Sequence, residues 1–297
     1  MSKNNFKVSI GLPVYNGENF LKYALDSLLS QTFRDFEIII SDNASTDTTP
    51  KICQEYVLRD KRIRYIRQNK NMGALWNFNF VLKQSNKEYF IWVSSDDKLH
   101  PEFLQKNIDI LEKNKNVVCS IGDVIYSDVI NYEFKLNNDT KKIFRQKYVK
   151  STYGTYESKV RTYLKFFQAS MIYGLYRRDK LQKSITINKI FLAFDLSIIL
   201  NVLKYGDFHV IDENLLHRYN KGSHSIIGTL RKYDISLINI IFLELPFTFW
   251  CLKNLGFKNF IRNFDVFLKI NIVGGLTILF ETIRISKRIV FRQDMFW

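Results

Sequence analysis

Tyr89-Phe90-Ile91-Trp92-Val93-Ser94-Ser95-Asp96-Asp97 is the stretch whose reading decides the fold. An apolar run with the length and the β-branched and aromatic content of a buried strand stops abruptly at two adjacent carboxylates. Open α/β sheets bind ligands outside the carboxyl ends of their strands. Two neighbouring carboxylates need a cation or hydrogen-bond donors nearby to stay ionised together. The stretch therefore reads as a strand that delivers Asp96 and Asp97 to a binding edge.

On either side of it, strands and helices alternate. Lys7 to Leu12 reads as a first strand closed by Pro13, and Glu18 to Gln31 as a helix with Phe20, Leu21, Ala24, Leu25, Leu28 and Leu29 on one stripe. Phe36 to Ile40 is a second strand, followed by Ser41-Asp42-Asn43 and a helix from Asp47 to Leu58 capped by Ser45 or Thr46. Arg62 to Arg67 is a third strand, Asn71-Met72-Gly73 turns into a helix from Ala74 to Gln84, and Glu88 to Val93 is the fourth strand. Pro101 opens a helix from Glu102 to Lys113, and Val117 to Asp123 is a fifth strand. This alternation predicts an α/β fold, a mostly parallel sheet with helices on both faces. The polar residues after strands one to four then share one edge.

Beyond residue 125 the pattern weakens. Asn131 to Thr155 reads as a loop or irregular hairpin, Tyr156 to Phe167 as a helix, Met171 to Arg177 as a strand and Phe191 to Lys204 as a helix. Phe208 to Ile211 and Leu215 to Tyr219 read as two short strands. From Ser225 onward the chain changes character. Ile235 to Trp250 and Phe264 to Ile285 are strongly apolar, interrupted by Glu244, Pro246, Lys269 and Gly274-Gly275, with basic residues such as Lys253, Lys258, Arg262 and Arg284 around them. Such stretches fit helices lying in a membrane interface, where anionic lipid attracts each basic residue by roughly 1 kcal/mol. A helical hairpin packed on the sheet, or a dimer contact, suits the same pattern. The expected division is a domain over 1–225, with halves of about 1–125 and 126–225, and a helical basic extension over 226–297.

At 297 residues and 46% hydrophobic, the chain can bury a real core. Lys and Arg outnumber Asp and Glu by 44 to 29, a net charge of +15 that suits an anionic partner: nucleic acid, a lipid surface or a phosphorylated substrate. Cys53, Cys119 and Cys251 are scattered and odd in number, which points away from a disulfide framework or zinc site and towards a reducing, cytoplasmic setting. Met1 to Lys7 is short and polar, with no visible signal peptide, and no charge-free apolar run reaches a membrane span of about 18 residues.

Four motifs carry a resemblance. Pro13-Val14-Tyr15-Asn16-Gly17-Glu18, Ser41-Asp42-Asn43-Ala44-Ser45-Thr46-Asp47, Asn69-Lys70-Asn71-Met72-Gly73 with Asn77, and Ser94-Ser95-Asp96-Asp97 resemble, in order and spacing, the motifs of the inverting family 2 glycosyltransferases. The match covers residues 6 to about 125 well and extends loosely to 225. It implies a GT-A type, Rossmann-like sheet and metal-dependent transfer of a sugar from a nucleoside diphosphate, UDP or dTDP favoured, to a saccharide or lipid-linked saccharide in cell-surface glycan synthesis. It places Pro13, Tyr15, Glu18, Asp42, Asn71 and Gly73 around the nucleotide, Asp96 on the ribose, and Asp97 on Mg²⁺ or Mn²⁺. Ser94 or Ser95 stands where the family has a first aspartate, so the metal site is lean. Ala193-Phe194-Asp195-Leu196-Ser197 resembles the family's acidic motif and makes Asp195 the general base, with Phe194 in place of the usual Glu. Leu215-Leu216-His217-Arg218-Tyr219 resembles a strand that precedes a basic phosphate contact; Arg218, Lys221 or His224 could supply one.

Read without the resemblance, the same residues also suit plain duties. Asp42 can accept the imide N–H of uracil or thymine, or simply hold a turn. Glu18 can favour a helix N-terminus, and Asp195 can cap a helix. Asp97→Ala is expected to remove turnover and leave the fold intact, because the residue reads as motif rather than core. A nucleotidyltransferase on a similar sheet would want a Gly-rich loop after strand one, which Gly11-Leu12-Pro13 does not offer; GxGxxG and GxxxxGK[ST] are also missing. A non-catalytic membrane- or nucleic-acid-binding module explains the charge but not the carboxylates. The whole reading places the protein in the cytoplasm, peripheral on the inner face of the membrane, with no nucleic-acid partner.

Overall fold

The computed structural model describes residues 6–127, 144–146, 150–166, 169–185, 194–219, 245–273 and 276. The chain divides into two compact units, Met1–Thr186 with Ile198–Asn220, and Ile187–Ser197 with Lys221–Trp297.

The first unit is built on nine described strands: β1 (Val8–Val14), β2 (Phe36–Asp42), β3 (Ile63–Arg67), β4 (Tyr89–Trp92), β5 (Asp97–Leu99), β6 (Val117–Ser127), β7 (Phe144–Gln146), β8 (Leu175–Arg177) and β9 (Asp207–Tyr219). They form one sheet in the order β3-β2-β1-β4-β8-β6-β9-β5, with β7 on β6. β3, β2, β1 and β4 are parallel, as are β6 and β9, while β8, β5 and β7 run against their neighbours. Helices α1 (Leu21–Leu29), α2 (Thr49–Arg59), α3 (Ala74–Gln84) and α4 (Phe103–Lys113) fill the crossovers. The mostly parallel α/β sheet expected from the alternation is the architecture found.

β1 is buried along its whole length, as a strand between two parallel neighbours and under helices must be. Gly11 lets α3 close on it: a Cβ there would stand 2.6 Å from the Phe90 ring and 2.7 Å from Val81. On α1 the predicted stripe of Leu21, Ala24, Leu25 and Leu28 is the buried face. The helix itself starts three residues later than expected, because Gly17 O accepts the N–H groups of Phe20 and Leu21 and shapes residues 17–20 as a turn.

Two expectations are corrected. Met171 to Arg177 is a 3-10 turn (Ala169–Tyr173) leading into the short β8, followed by α6 (Arg178–Ser184), a helix the sequence reading did not foresee. The two short strands predicted over 208–219 are one strand, β9. Its pairing with β6 slips after Gly122↔Ile211 and resumes at Asp123↔Asn214, so exposed Asp212 and Glu213 bulge outward and mimic a chain break. Residues 97–99, to which the sequence reading assigned no element, form β5 against β9. Helix α5 (Tyr156–Phe166) lies where predicted, and α7 (Phe194–Val202) is shorter than predicted. Most of the 131–155 segment lies outside the described residues.

In the second unit α8 (Leu245–Asn254) and α9 (Phe257–Arg262) are followed by helical backbone over 264–273. Among the described residues no helix is long and apolar enough to cross a membrane. All three cysteines are buried and unbridged.

Candidate active site

Because β1 to β4 run parallel, their carboxyl ends meet at one edge, and the loops leaving them are sewn together. Asn16 N donates to Ser45 Oγ at 2.9 Å, Gly17 N to Thr49 Oγ1 at 2.8 Å and Thr46 N to Asn16 Oδ1 at 2.8 Å. These bonds join the first loop to the second. Asn43 joins the second to the third: its Nδ2 donates to Asn71 Oδ1 at 2.8 Å, and its Oδ1 accepts Met72 N–H at 2.9 Å. The fourth loop closes on the first, since a Cβ on Gly17 would lie 3.3 Å from Ser95 Oγ. Asn16 and Ala44 take left-handed backbone (φ 51° and 62°) to make these turns, a conformation that costs a non-glycine residue energy and that the crosslinks hold in place.

The predicted nucleotide residues divide into those that face outward and those that build the frame. Tyr15 is 47% exposed at the tip of the first loop. Asn71 is exposed, and its Oδ1 also accepts Gly73 N–H; Gly73, at φ 86°, starts α3 with open space where a Cβ would stand. Pro13 is buried on β1 opposite Ser41. The Glu18 carboxylate turns to the start of α2, where Oε2 accepts from Thr48 N at 3.1 Å and Thr48 Oγ1 at 2.9 Å. Asp42 is sealed from solvent. Its Oδ1 accepts Ser45 N–H and its Oδ2 the Tyr65 hydroxyl, both at 2.8 Å, with Arg67 Nε 3.8 Å away. The Asp42 carboxylate is thus held by its own loop through Ser45 and by β3 through Tyr65.

Asp96 and Asp97 part company at the end of β4. Asp96 sits half-buried in the turn, its Oδ1 accepting Ser94 Oγ at 2.5 Å. Asp97 is 2% exposed and opens β5, opposite Arg218 on β9. Arg218 Nε lies 3.2 Å from Asp97 Oδ1; its Nη2 donates to Tyr173 OH at 3.2 Å, and its guanidinium stands 4.2 Å from the centre of that ring. Burial pushes the Asp97 carboxyl up to about 7, against the pull of Arg218 and with the push of Asp96. Asp97 Oδ2 is buried with no hydrogen-bond partner. Behind this pair, His217 is buried against Ser127, 2.7 Å from its Oγ, and burial, helped by Lys98, lowers its pKa to about 4.

These donors test the fit of a divalent ion. Among the described residues no three metal-ligating side chains cluster. Asp97 fits poorly as a direct ligand, because it is sealed and its Oδ1 is paired with a guanidinium. Asp96 is the reachable carboxylate of the pair. A single carboxylate suits Mg²⁺ or Mn²⁺ when substrate phosphates complete the shell.

Asp195 lies in the first turn of α7 in the second unit, half-buried, with its Oδ1 accepting Leu196 N–H at 3.0 Å. Lys221 and His224 lie outside the described residues. Sequence reading missed Asn43 as the tie between loops, and Tyr65 and Arg67 as the partners of Asp42. The available signal was the period of two: Tyr65 and Arg67 share the face of β3 that pairs with Ile40 and Asp42.

Comparison with known proteins agrees with this geometry. The model of glycosyl transferase family 2 matches residues 9–184, and the chain belongs to that family. It is 37% identical over 126 residues to an uncharacterized glycosyltransferase of Rickettsia typhi, covering 41% of this chain and 38% of that protein. It is 36% identical over 99 residues to the glycosyltransferase GlyA of Streptococcus pneumoniae, covering 33% and 14%. Residues 1–349 of S. aureus TarS, solved with UDP-GlcNAc, superpose with a TM-score of 0.58 at 20% identity over 74% of this chain and 60% of that one. The mannosyltransferase PcManGT from Pyrobaculum calidifontis, solved with GDP-Man and Mn²⁺, does so at 0.51 and 14% over 76% and 60%. At such identities the likeness shows the fold, which is GT-A. The chain spans less than two thirds of the length of each of these four proteins.

Proposed function

We propose that the protein transfers a sugar, with inversion, from a nucleoside diphosphate, UDP or dTDP favoured, to a hydroxyl of a saccharide or lipid-linked saccharide in glycan assembly. The observation that carries this reading is the convergence of four crosslinked loops on one sheet edge, with Asp96 as the reachable carboxylate among them. A nucleotide laid there meets Tyr15, Asn71 and the backbone at Gly73. Arg67, half exposed beside Asp42, brings positive charge for the diphosphate. Asp42, Asn43 and Glu18 keep the loops in register, and Asp97 with Arg218 holds the turn from which Asp96 projects.

In this scheme Asp96 takes the metal role that the resemblance gave to Asp97. Mg²⁺ or Mn²⁺, when bound with the donor, supplies charge neutralisation for the departing diphosphate. The acceptor hydroxyl attacks the anomeric carbon from the face opposite the leaving group. As its C–O bond forms, the bond to phosphate breaks, and Asp195 accepts the hydroxyl proton.

The test is turnover against stability. Asp96→Ala is expected to lose metal-dependent diphosphate release while retaining its urea midpoint, and unimpaired release by the variant would remove Asp96 from the reaction.

A further inference from the structure

The helices of the second unit are packed the wrong way round for water. A helix on a protein surface hides its apolar stripe and shows its polar one. Over residues 257–272 the order is reversed. Asn259, Asn263 and Asn271 are buried, alongside Phe260 and Phe267. Outward stand Phe257, Ile261, Phe264, Leu268 and Ile272, each 51% to 73% exposed. Their steps of three and four residues carry a stripe from α9 across the turn at Asn263 onto the helical backbone of 264–273.

The inward asparagines are held by the helix itself. Asn259 Nδ2 donates to Leu255 O at 3.0 Å, and Asn263 Nδ2 donates to Asn259 O at 2.8 Å. Asn271 Nδ2 donates to Phe267 O and to Thr248 Oγ1, both at 2.8 Å. Polar side chains turned inward and apolar ones outward is the pattern of a helix whose solvent is hydrocarbon. A contiguous apolar strip of this kind on a surface marks a contact with something apolar.

Charge decides which contact. Over 245–273 four exposed cations, Lys253, Lys258, Arg262 and Lys269, stand against one carboxylate, Asp265. Lys258, Arg262 and Lys269 each follow an outward apolar residue by one position, as does Asp265, so three cations and one carboxylate line one flank of the stripe about 100° round the helix. A second copy of this chain would bring the same excess of cations to the contact and repel it. An anionic headgroup layer complements it, taking the stripe at the acyl boundary and the basic flank among the phosphates.

We infer that the outward face of residues 257–272 is a membrane-interface surface that seats on anionic lipid. The helix lies in the plane of the surface rather than through it. This stands independently of the sugar-transfer reading, since it concerns a different unit and needs no turnover.

The test is flotation of the full chain with vesicles of phosphatidylcholine alone or mixed with phosphatidylglycerol. Wild type is expected to float with the anionic vesicles and to be released by high salt only in part. The variant Ile261→Gln/Phe264→Gln/Leu268→Gln is expected to bind at least about tenfold more weakly. The variant Lys258→Gln/Arg262→Gln/Lys269→Gln is expected to bind both vesicle types weakly and alike. All substitutions face solvent, and circular dichroism with a urea titration verifies that each variant folds. Failure of wild type to float, or undiminished flotation of the folded apolar variant, overturns the inference. So does a wild-type dimer in light scattering that the apolar variant converts to monomer, because the occupant is then a second copy.

Discussion

Arg218 Nε on β9 lies 3.2 Å from Asp97 Oδ1 on β5, and the pair is sealed from solvent on the carboxylate side. The guanidinium also lies 4.2 Å from the centre of the Tyr173 ring. A carboxylate in this position is part of the fold's core. Its neighbour Asp96 is half-buried in the turn before β5, so the two adjacent acids stand in different environments.

Asp97→Ala leaves the part-buried Arg218 guanidinium, 24% exposed, without its carboxylate. Breaking a buried ion pair by removing one partner costs about 3 kcal/mol or more, so the urea midpoint should fall clearly. The expectation that this variant keeps its fold is therefore reversed. A midpoint equal to that of wild type would show that the pair is not a structural lock.

Asp96→Ala should leave the midpoint unchanged within about 0.5 kcal/mol, as expected for a part-exposed side chain outside the core. Its kcat should fall by about a hundredfold or more, the usual scale for removing electrostatic stabilisation of a leaving group. Steady-state kinetics over a Mn²⁺ titration measures both the loss and the change in metal response.

Asn77 shows how a motif residue can be structural. Its Nδ2 donates to Ser41 O at 2.9 Å, and its Oδ1 accepts Ser41 Oγ at 2.5 Å, all of it buried. Asn77→Ala removes both bonds, leaving Ser41 Oγ with Gln68 Nε2 at 3.1 Å, and should cost about 2 kcal/mol. Equilibrium unfolding checks it; KM for the donor should rise only as far as the third loop loosens.

His217 gives a pH signature. Burial lowers its folded pKa to about 4 from 6.5. As pH falls through 6.5 the unfolded chain takes a proton and the native one does not, so stability drops between pH 6.5 and 4 and levels off below. The span corresponds to about 3 kcal/mol. Asp97, raised to about 7, runs the other way: its contribution is full below about 3.8 and is lost as pH rises through 7. Comparing wild type with His217→Gln in urea titrations at each pH isolates the histidine, and the difference should shrink with falling pH. A constant difference would show that His217 titrates in the native state as it does in the unfolded one.

The sheet and its binding edge were legible in the sequence because parallel βα repeats write themselves twice, as apolar strand runs and as polar residues at each strand end. The stripe on α1 was predictable on the same ground. What adjacent residues do was not. Asp96 and Asp97 differ only because Arg218, 121 residues later, claims one of them. The polar pair Asp212-Glu213 looked like a turn because a bulge and a chain break expose the same residue types. The burial of Asn259, Asn263 and Asn271 was not foreseen, because the sequence pattern does not say which way those helices are turned.

Asp195 is tested by separating chemistry from binding. Asp195→Asn should lower kcat strongly and leave the UDP dissociation constant within about threefold, because a base acts on the acceptor and not on the nucleotide. Calorimetric titration with UDP and Mn²⁺, set beside initial rates, decides it. A parallel loss of UDP affinity would make Asp195 a nucleotide-binding residue.

The most direct measurement of the central claim is nucleoside diphosphate release by the purified chain from a panel of UDP-, dTDP- and GDP-sugars with Mn²⁺, with Asp96→Ala run alongside. Release from at least one donor by wild type, and only background release by the variant, is the predicted result. No release from any donor by folded wild type, or equal release by both proteins, would contradict it.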